Sequence, residues 1–372
     1  MKKTAVFIIV FILLSGFTVS AREPDSGYSE NYEDFIGDKI DGILDNDTKE
    51  KLSESGIVPE DSGWINNITV PDVFSYVLSL LRGNIKKPFS SFFLILSTLL
   101  ILSAMSAFGT EKSGASASAA ATAVTALIIA ADIFSCVSAA ESGIKLCAEF
   151  MIGFIPIFAA LIAASGRTLT AVSSSSVLLF AANAVSYFSA FGVLPMMGGY
   201  LSVSIAGGVS PLVSKLDLAG TVKKITLWAL SLVSTVFLGV LSVQTAVNSS
   251  ADSVTIKTAK YILGTSVPVA GNVLSEAASA VSSSVSFLKN SVGIYAVIVL
   301  AVIMIPVITD ILLWRACFSL GAVIGEFFGE EKIPALLKAV DSVLACLLGI
   351  ILLVTALFII SLTVLVAAGS GI

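Results

Sequence analysis

No histidine occurs anywhere in the 372 residues. Its absence removes the usual imidazole base, the common zinc ligand and the side chain whose charge changes near neutral pH. Most hydrolase and metalloenzyme readings go with it. Charge is scarce as well: 13% of residues are charged against 56% hydrophobic, and mean hydropathy is +0.98, which excludes an ordinary soluble domain. Cysteines number four (Cys136, Cys147, Cys317, Cys346), with no CxxC pair, and all lie in or beside apolar segments. Cys136 and Cys147 flank one predicted hairpin and could pair, but inert buried thiols suit their setting better. No P-loop, dinucleotide glycine motif or basic aromatic patch appears, so the chain is expected neither to hydrolyse nucleotides nor to bind nucleic acid, and no cofactor is implied.

What is present is an all-α, polytopic membrane protein. Lys2 and Lys3, the apolar run from Ala5 to Phe17 and the small residues Val19-Ser20-Ala21 read as a signal peptide over 1–21, with an uncleaved signal anchor as the alternative. Residues 22–88 form an acidic head with 14 acidic and 7 basic side chains, expected on the extracytoplasmic side, and 89–372 form the membrane domain. Within the head, Tyr32, Phe35, Ile36, Ile40, Ile43 and Leu44 recur at helical spacing, and a second amphipathic helix follows Pro71 and ends in Arg82, Lys86 and Lys87, suited to the membrane surface. Asp41, Asp45 and Asp47 lack the spacing of a calcium loop and read as a solvated helix face with an aspartate cap.

A crossing takes about 20 apolar residues. Charge-free runs at 88–110, 113–131, 150–166, 168–214, 225–251, 290–309 and 342–372 predict about eight spans, near 89–109, 113–139, 148–165, 169–191, 193–213, 225–247, 290–313 and 340–368. With the head outside, the turns at Arg167, at Lys215 to Lys224 and at Arg315 to Lys338 face the cytoplasm, while Lys257, Lys260 and Lys289 run against the positive-inside tendency. Small residues fill several spans, and Gly321, Gly325 and Gly329 repeat every four residues, which predicts either close helix packing or a homo-oligomer built on those faces.

An ionisable group inside a span is a functional candidate because burying it alone is costly. Asp132 is the candidate intramembrane acid; Asp310 and Arg315, five apart, are expected at an interface. Ser286-Phe287-Leu288-Lys289 and Ser142-Gly143-Ile144-Lys145 both match SxxK, but the companion elements of acyl-transfer enzymes are missing, so no catalytic residue is assigned and the chain is expected not to be an enzyme.

The stretch "SVPVAGNVLSEAASAVSSSVSFLKNSVG" (266–293) has Val269, Val273, Ala277, Val281, Val285 and Leu288 on one helical stripe, with Ser275, Ser279, Ser282, Ser283 and Ser286 elsewhere around it. It predicts an amphipathic helix near 266–289, opened by Pro268 and Gly271 and closed by Asn290 and Gly293, lying at the surface or lining a conduit.

Gln244-Thr245 at a span end, Lys257-Thr258-Ala259-Lys260, "SVPVAGNVLSEA" and "LKNSVG" together resemble the stage III sporulation protein AE family of endospore formers. The resemblance implies a polytopic component of a channel or secretion complex between mother cell and forespore, placed in the mother-cell membrane around the forespore. It also implies partners: the other stage III sporulation proteins of the same operon, including a cytoplasmic ATPase and ring-forming members, and a forespore membrane protein. It supplies no catalytic positions, and Gln244, Lys257, Lys260, Pro268, Gly271, Lys289 and Gly293 stand as candidates for structure or assembly. The alternatives are an independent secondary transporter, which should show repeated halves with a mid-membrane site, and a purely structural scaffold.

Overall fold

A peptide group in hydrocarbon has to find its hydrogen-bond partner within its own helix, and every regular element among the described residues is helical. The computed structural model describes residues 39–40, 42–54, 57, 70–108, 111–164, 168–188, 191–192, 194–209, 220–229, 231–240, 242 and 271–370. The signal segment 1–21, most of the expected helix over 32–44, and Gln244, Lys257, Lys260 and Pro268 lie outside them.

The head contributes α1 (Asn46–Glu54) and α2 (Val70–Asn84). Asp45 caps α1, its Oδ2 accepting the Thr48 N–H at 3.2 Å. Lys51 pairs with Asp47 one turn earlier. Ile40, Leu44 and Leu52 are buried in the same core as the membrane helices, and Ile43 sits where a side chain on Gly153 would otherwise stand. The described residues 39–57 of the acidic head are thus docked on the body through apolar side chains.

The body comprises α3 (Lys86–Phe108), α4 (Glu111–Ala164), α5 (Thr168–Phe188), α6 (Leu194–Val209), α7 (Gly271–Phe327) and α8 (Lys332–Ser370), with a further apolar stretch at Gly220–Val240 between α6 and α7. Six stretches among the described residues are long and apolar enough to cross a bilayer: Lys86–Met105, Ser116–Ala164, Ala171–Phe188, Gly220–Val240, Val292–Phe327 and Lys332–Val366. Two differences separate these six from the expected eight. The spans expected at 113–139 and 148–165 lie on the single helix α4, whose 54 residues extend about 81 Å at 1.5 Å per residue. No turn is needed at 140–147, because Glu141 and Lys145 satisfy each other along the helix at 2.7 Å, and Gly143 serves instead as a close contact, its absent Cβ leaving room for Val307 of α7. The span expected at 193–213 is the 16-residue α6, about 24 Å long and short of the hydrocarbon thickness.

The helix expected to close at Asn290–Gly293 runs on. Gly271 opens α7, Ser275, Ser279, Ser282, Ser286 and Lys289 follow on its backbone, and the helix continues to Phe327. Gly293 is not a terminator: it faces Val366 of α8, with no room for a side chain between them.

Residue pairs fix the directions. Ile95 with Gly321 and Leu99 with Gly325 make α3 and α7 parallel, whereas Cys136 with Asp310 and Gly143 with Val307 make α4 antiparallel to both. α7 and α8 form a hairpin paired from Gly325–Pro334 at the turn to Gly293–Val366 at the far end. That turn is closed by Gly329 at φ 76°, with its N–H bonded to Glu326 O at 3.0 Å and the Glu330 N–H to Gly325 O at 3.2 Å. This double bond pattern with a left-handed residue is a Schellman terminator. Gly321 and Gly325 face Leu337 and Pro334 of α8 and Ile95 and Leu99 of α3 within the chain, and Gly329 terminates the helix.

Candidate functional site

Polar side chains cluster where α3, α4 and α7 cross. Lys87 stands at the start of α3 and Ser91 one turn later on its inner face; Asp132 and Cys136 are one turn apart on α4; Asp310 faces them from α7. Ser91 Oγ donates to Asp132 Oδ2 at 2.8 Å, and Lys87 Nζ lies 3.6 Å from Asp132 Oδ1. The Cys136 thiol points at Asp310 Oδ2 at 3.9 Å. Asp132 is 9% exposed, so its carboxylate needs those partners; its hydroxyl donor is buried and its cation keeps 68% of its side chain exposed. The ammonium therefore joins the polar cluster to the outside of the body.

A second cluster ties α8 to its neighbours. Arg315 Nε donates to Asp341 Oδ1 at 2.8 Å and its NH2 group to Oδ2 at 3.4 Å, a forked contact between α7 and α8. On the next residue, Ser342 Oγ accepts from Lys223 Nζ at 2.9 Å and from Tyr200 O–H at 3.1 Å, which gathers α6 and the start of the Gly220–Val240 stretch. Asp310 and Arg315 do not pair with each other: five residues apart, they leave α7 in different directions, one toward α4 and one toward α8.

Both clusters do the same chemical work. Each joins three or more helices through side-chain contacts between groups that hydrocarbon cannot solvate. All four cysteines are buried free thiols, and no group of three metal-ligating side chains occurs among the described residues. A cleft of about 230 Å³ between the head turn at Gly42–Asp45, α4 and α7 is lined by Ile43, Leu44, Leu146, Phe150 and Ile303 with Glu149, and the Asp45 carboxylate is occupied as the α1 cap.

Sequence reasoning singled out Asp132, Asp310 and Arg315, and did not connect them with Lys87, Ser91, Asp341, Ser342, Tyr200 or Lys223. The cost of an unpaired intramembrane carboxylate was the available signal for a cation nearby, and Lys87 is the cation at the mouth of the first span.

The sequence matches the profile of "Stage III sporulation protein AE" over residues 52–369. The chain belongs to that family. It is similar to the stage III sporulation protein AE of Bacillus subtilis (strain 168), with 30% identity over 231 residues, which cover 62% of this chain and 58% of that relative. No solved structure matches. The family match starts within α1 and ends within α8, so it takes in both polar clusters and the serine-rich start of α7.

Proposed function

We propose that this multi-pass membrane protein acts without catalysis as the membrane core of a channel or secretion complex between mother cell and forespore, needed for forespore development. The observation that carries the reading is the family match over 52–369. The polar groups between the helices support it: Ser91, Asp132, Arg315, Asp341 and Ser342 are bonded across helices, as in a scaffold whose polar contacts are made internally. Its partners in this reading are the other stage III sporulation proteins of the same operon, including the ATPase and ring-forming members, and a forespore membrane protein. The serine-rich start of α7 is the element proposed to line the conduit, and the mother-cell membrane around the forespore is its place.

The test is an in-frame deletion in the endospore-forming host with complementation from a second locus. Heat-resistant spores should be lost and then restored by the intact gene, and an affinity-tagged copy should retain the ATPase and ring-forming partners through detergent extraction. Normal sporulation of the deletion strain would end the proposal. Normal forespore development with no co-purifying partner would instead favour an independent permease.

A further inference from the structure

Arg82 and Lys86 are one turn apart on a helical face that continues across the α2–α3 junction. Hydrogen bonds from Ile85 N–H to Leu81 O at 3.1 Å and from Phe89 N–H to Ile85 O at 3.0 Å carry the helical pattern through it. Along this face Ser75, Leu78 and Ser79 are followed by Arg82 and Lys86, then by Phe89 and Phe93, and all are turned away from the body. Leu78 apart, the order is polar, cationic, aromatic, and then the apolar length of α3. It is the order met by a helix passing from water through the headgroup layer into hydrocarbon.

Among the described residues the two cations are uncompensated. Beyond Asp72 the next acidic residue in the sequence is Glu111. Of the three cations in this interval, Lys87 is turned inward to Asp132, whereas Arg82 and Lys86 have no ion-pair partner among the described residues. Side chains four apart on one helical face lie about 5–6 Å from each other at Cβ, which suits two cations converging on one phosphodiester. Below them Phe89 and Phe93 stand edge to face with centroids 5.1 Å apart, an exposed apolar step on which an acyl chain can lie.

We propose that Arg82 and Lys86, with Phe89 and Phe93, form a binding site for the headgroup and upper acyl chain of an anionic phospholipid. The site anchors the junction between head and body at the bilayer surface and leaves Lys87 free to hold Asp132.

The full-length protein in mild detergent, offered an equimolar mixture of phosphatidylglycerol and phosphatidylcholine, is examined by native mass spectrometry. Phosphatidylglycerol adducts should exceed phosphatidylcholine adducts several-fold. The ratio should fall toward one in Arg82→Gln/Lys86→Gln and survive in Lys86→Arg. Excess inorganic phosphate should leave the lipid adducts in place. A ratio near one for the unaltered protein, or the same preference in the double variant, would overturn the proposal. Displacement by phosphate alone would assign the site to free anions instead. If circular dichroism or elution shows the double variant misfolded, Lys86→Gln is read in its place, with a partial fall expected and an unchanged ratio counting against the site.

Discussion

The two halves of α7 are both predominantly apolar, with Asp310 the one charge in Val292–Ile311 and Arg315 and Glu326 the two in 312–327, and they differ in what surrounds them. From Val292 to Ile311 no residue of α7 is exposed, and the facing part of α8 from Ile350 to Val366 exposes only Thr363. One residue past Ile311 the pattern changes: Leu312, Leu320, Val323 and Phe327 point outward, the last at 87% exposure, as do Phe89, Phe93, Leu100 and Ile101 on the parallel α3. The change falls at Asp310 and Arg315, where the polar clusters cross the body. One half of α7 is packed as a protein interior, and the other presents one face of side chains suited to lipid while its opposite face stays buried. Because lipid tails are as apolar as leucine, hydrophobicity cannot distinguish these two environments, and only packing does.

The sharpest way to break that contrast is to truncate the same residue type in both regions. Phe358, 1% exposed, should cost about 3 kcal/mol as Phe358→Ala through the cavity it leaves, whereas Phe327→Ala should stay within about 0.5 kcal/mol. Thermal unfolding in detergent, followed by helical circular dichroism, compares them; equal shifts would erase the distinction. Next in size, Gly293→Leu should lose about 2 kcal/mol by overpacking against Val366. Gly199→Ala, with nothing within 4 Å of its absent Cβ, should gain up to about 1 kcal/mol from helix propensity. Opposite signs are expected in the same melting assay.

At the boundary itself, Asp132→Ala should cost about 1–2 kcal/mol, because Ser91 and Lys87 lose their acceptor and the lysine is largely solvated already. Asp132→Asn should cost less by keeping the Ser91 bond. In a Lys87→Met background the Asp132→Ala cost should shrink; a double-mutant cycle with zero coupling would show that the ion pair contributes nothing. At the second cluster Arg315→Lys should cost about 1 kcal/mol, since lysine keeps the charge but not the forked contact to Asp341. Resistance of the α7–α8 hairpin to limited proteolysis at the Gly329 turn is the readout, and unchanged cleavage would show that the fork is dispensable.

The all-helical, multi-pass character was legible because it depends on local quantities. Apolar runs of span length, the shortage of charge and the Asp45 cap act within a few residues of themselves. The length of α4 was not legible: Glu141, Gly143 and Lys145 look like a polar turn between two spans, and the same residues serve equally well as an ion pair and a close contact on an unbroken helix. Gly293 misled for a related reason, since glycine marks both helix ends and close helix crossings, and nothing in its neighbourhood separates the two. The partners of Asp132 and Asp310 stayed hidden because Ser91 is 41 residues from Asp132 and Cys136 is 174 residues from Asp310.

The sequence by itself determined that this protein lives in a membrane, that it is built of helices, and that it belongs to a sporulation family, because composition, period and ordered motifs are properties of neighbouring residues. Tertiary structure decided which apolar faces become interior, which glycines become contacts, and which acid meets which cation. Those outcomes follow from how helices of about 80 Å lie against one another, and the pairings they create join residues that no local spacing rule connects.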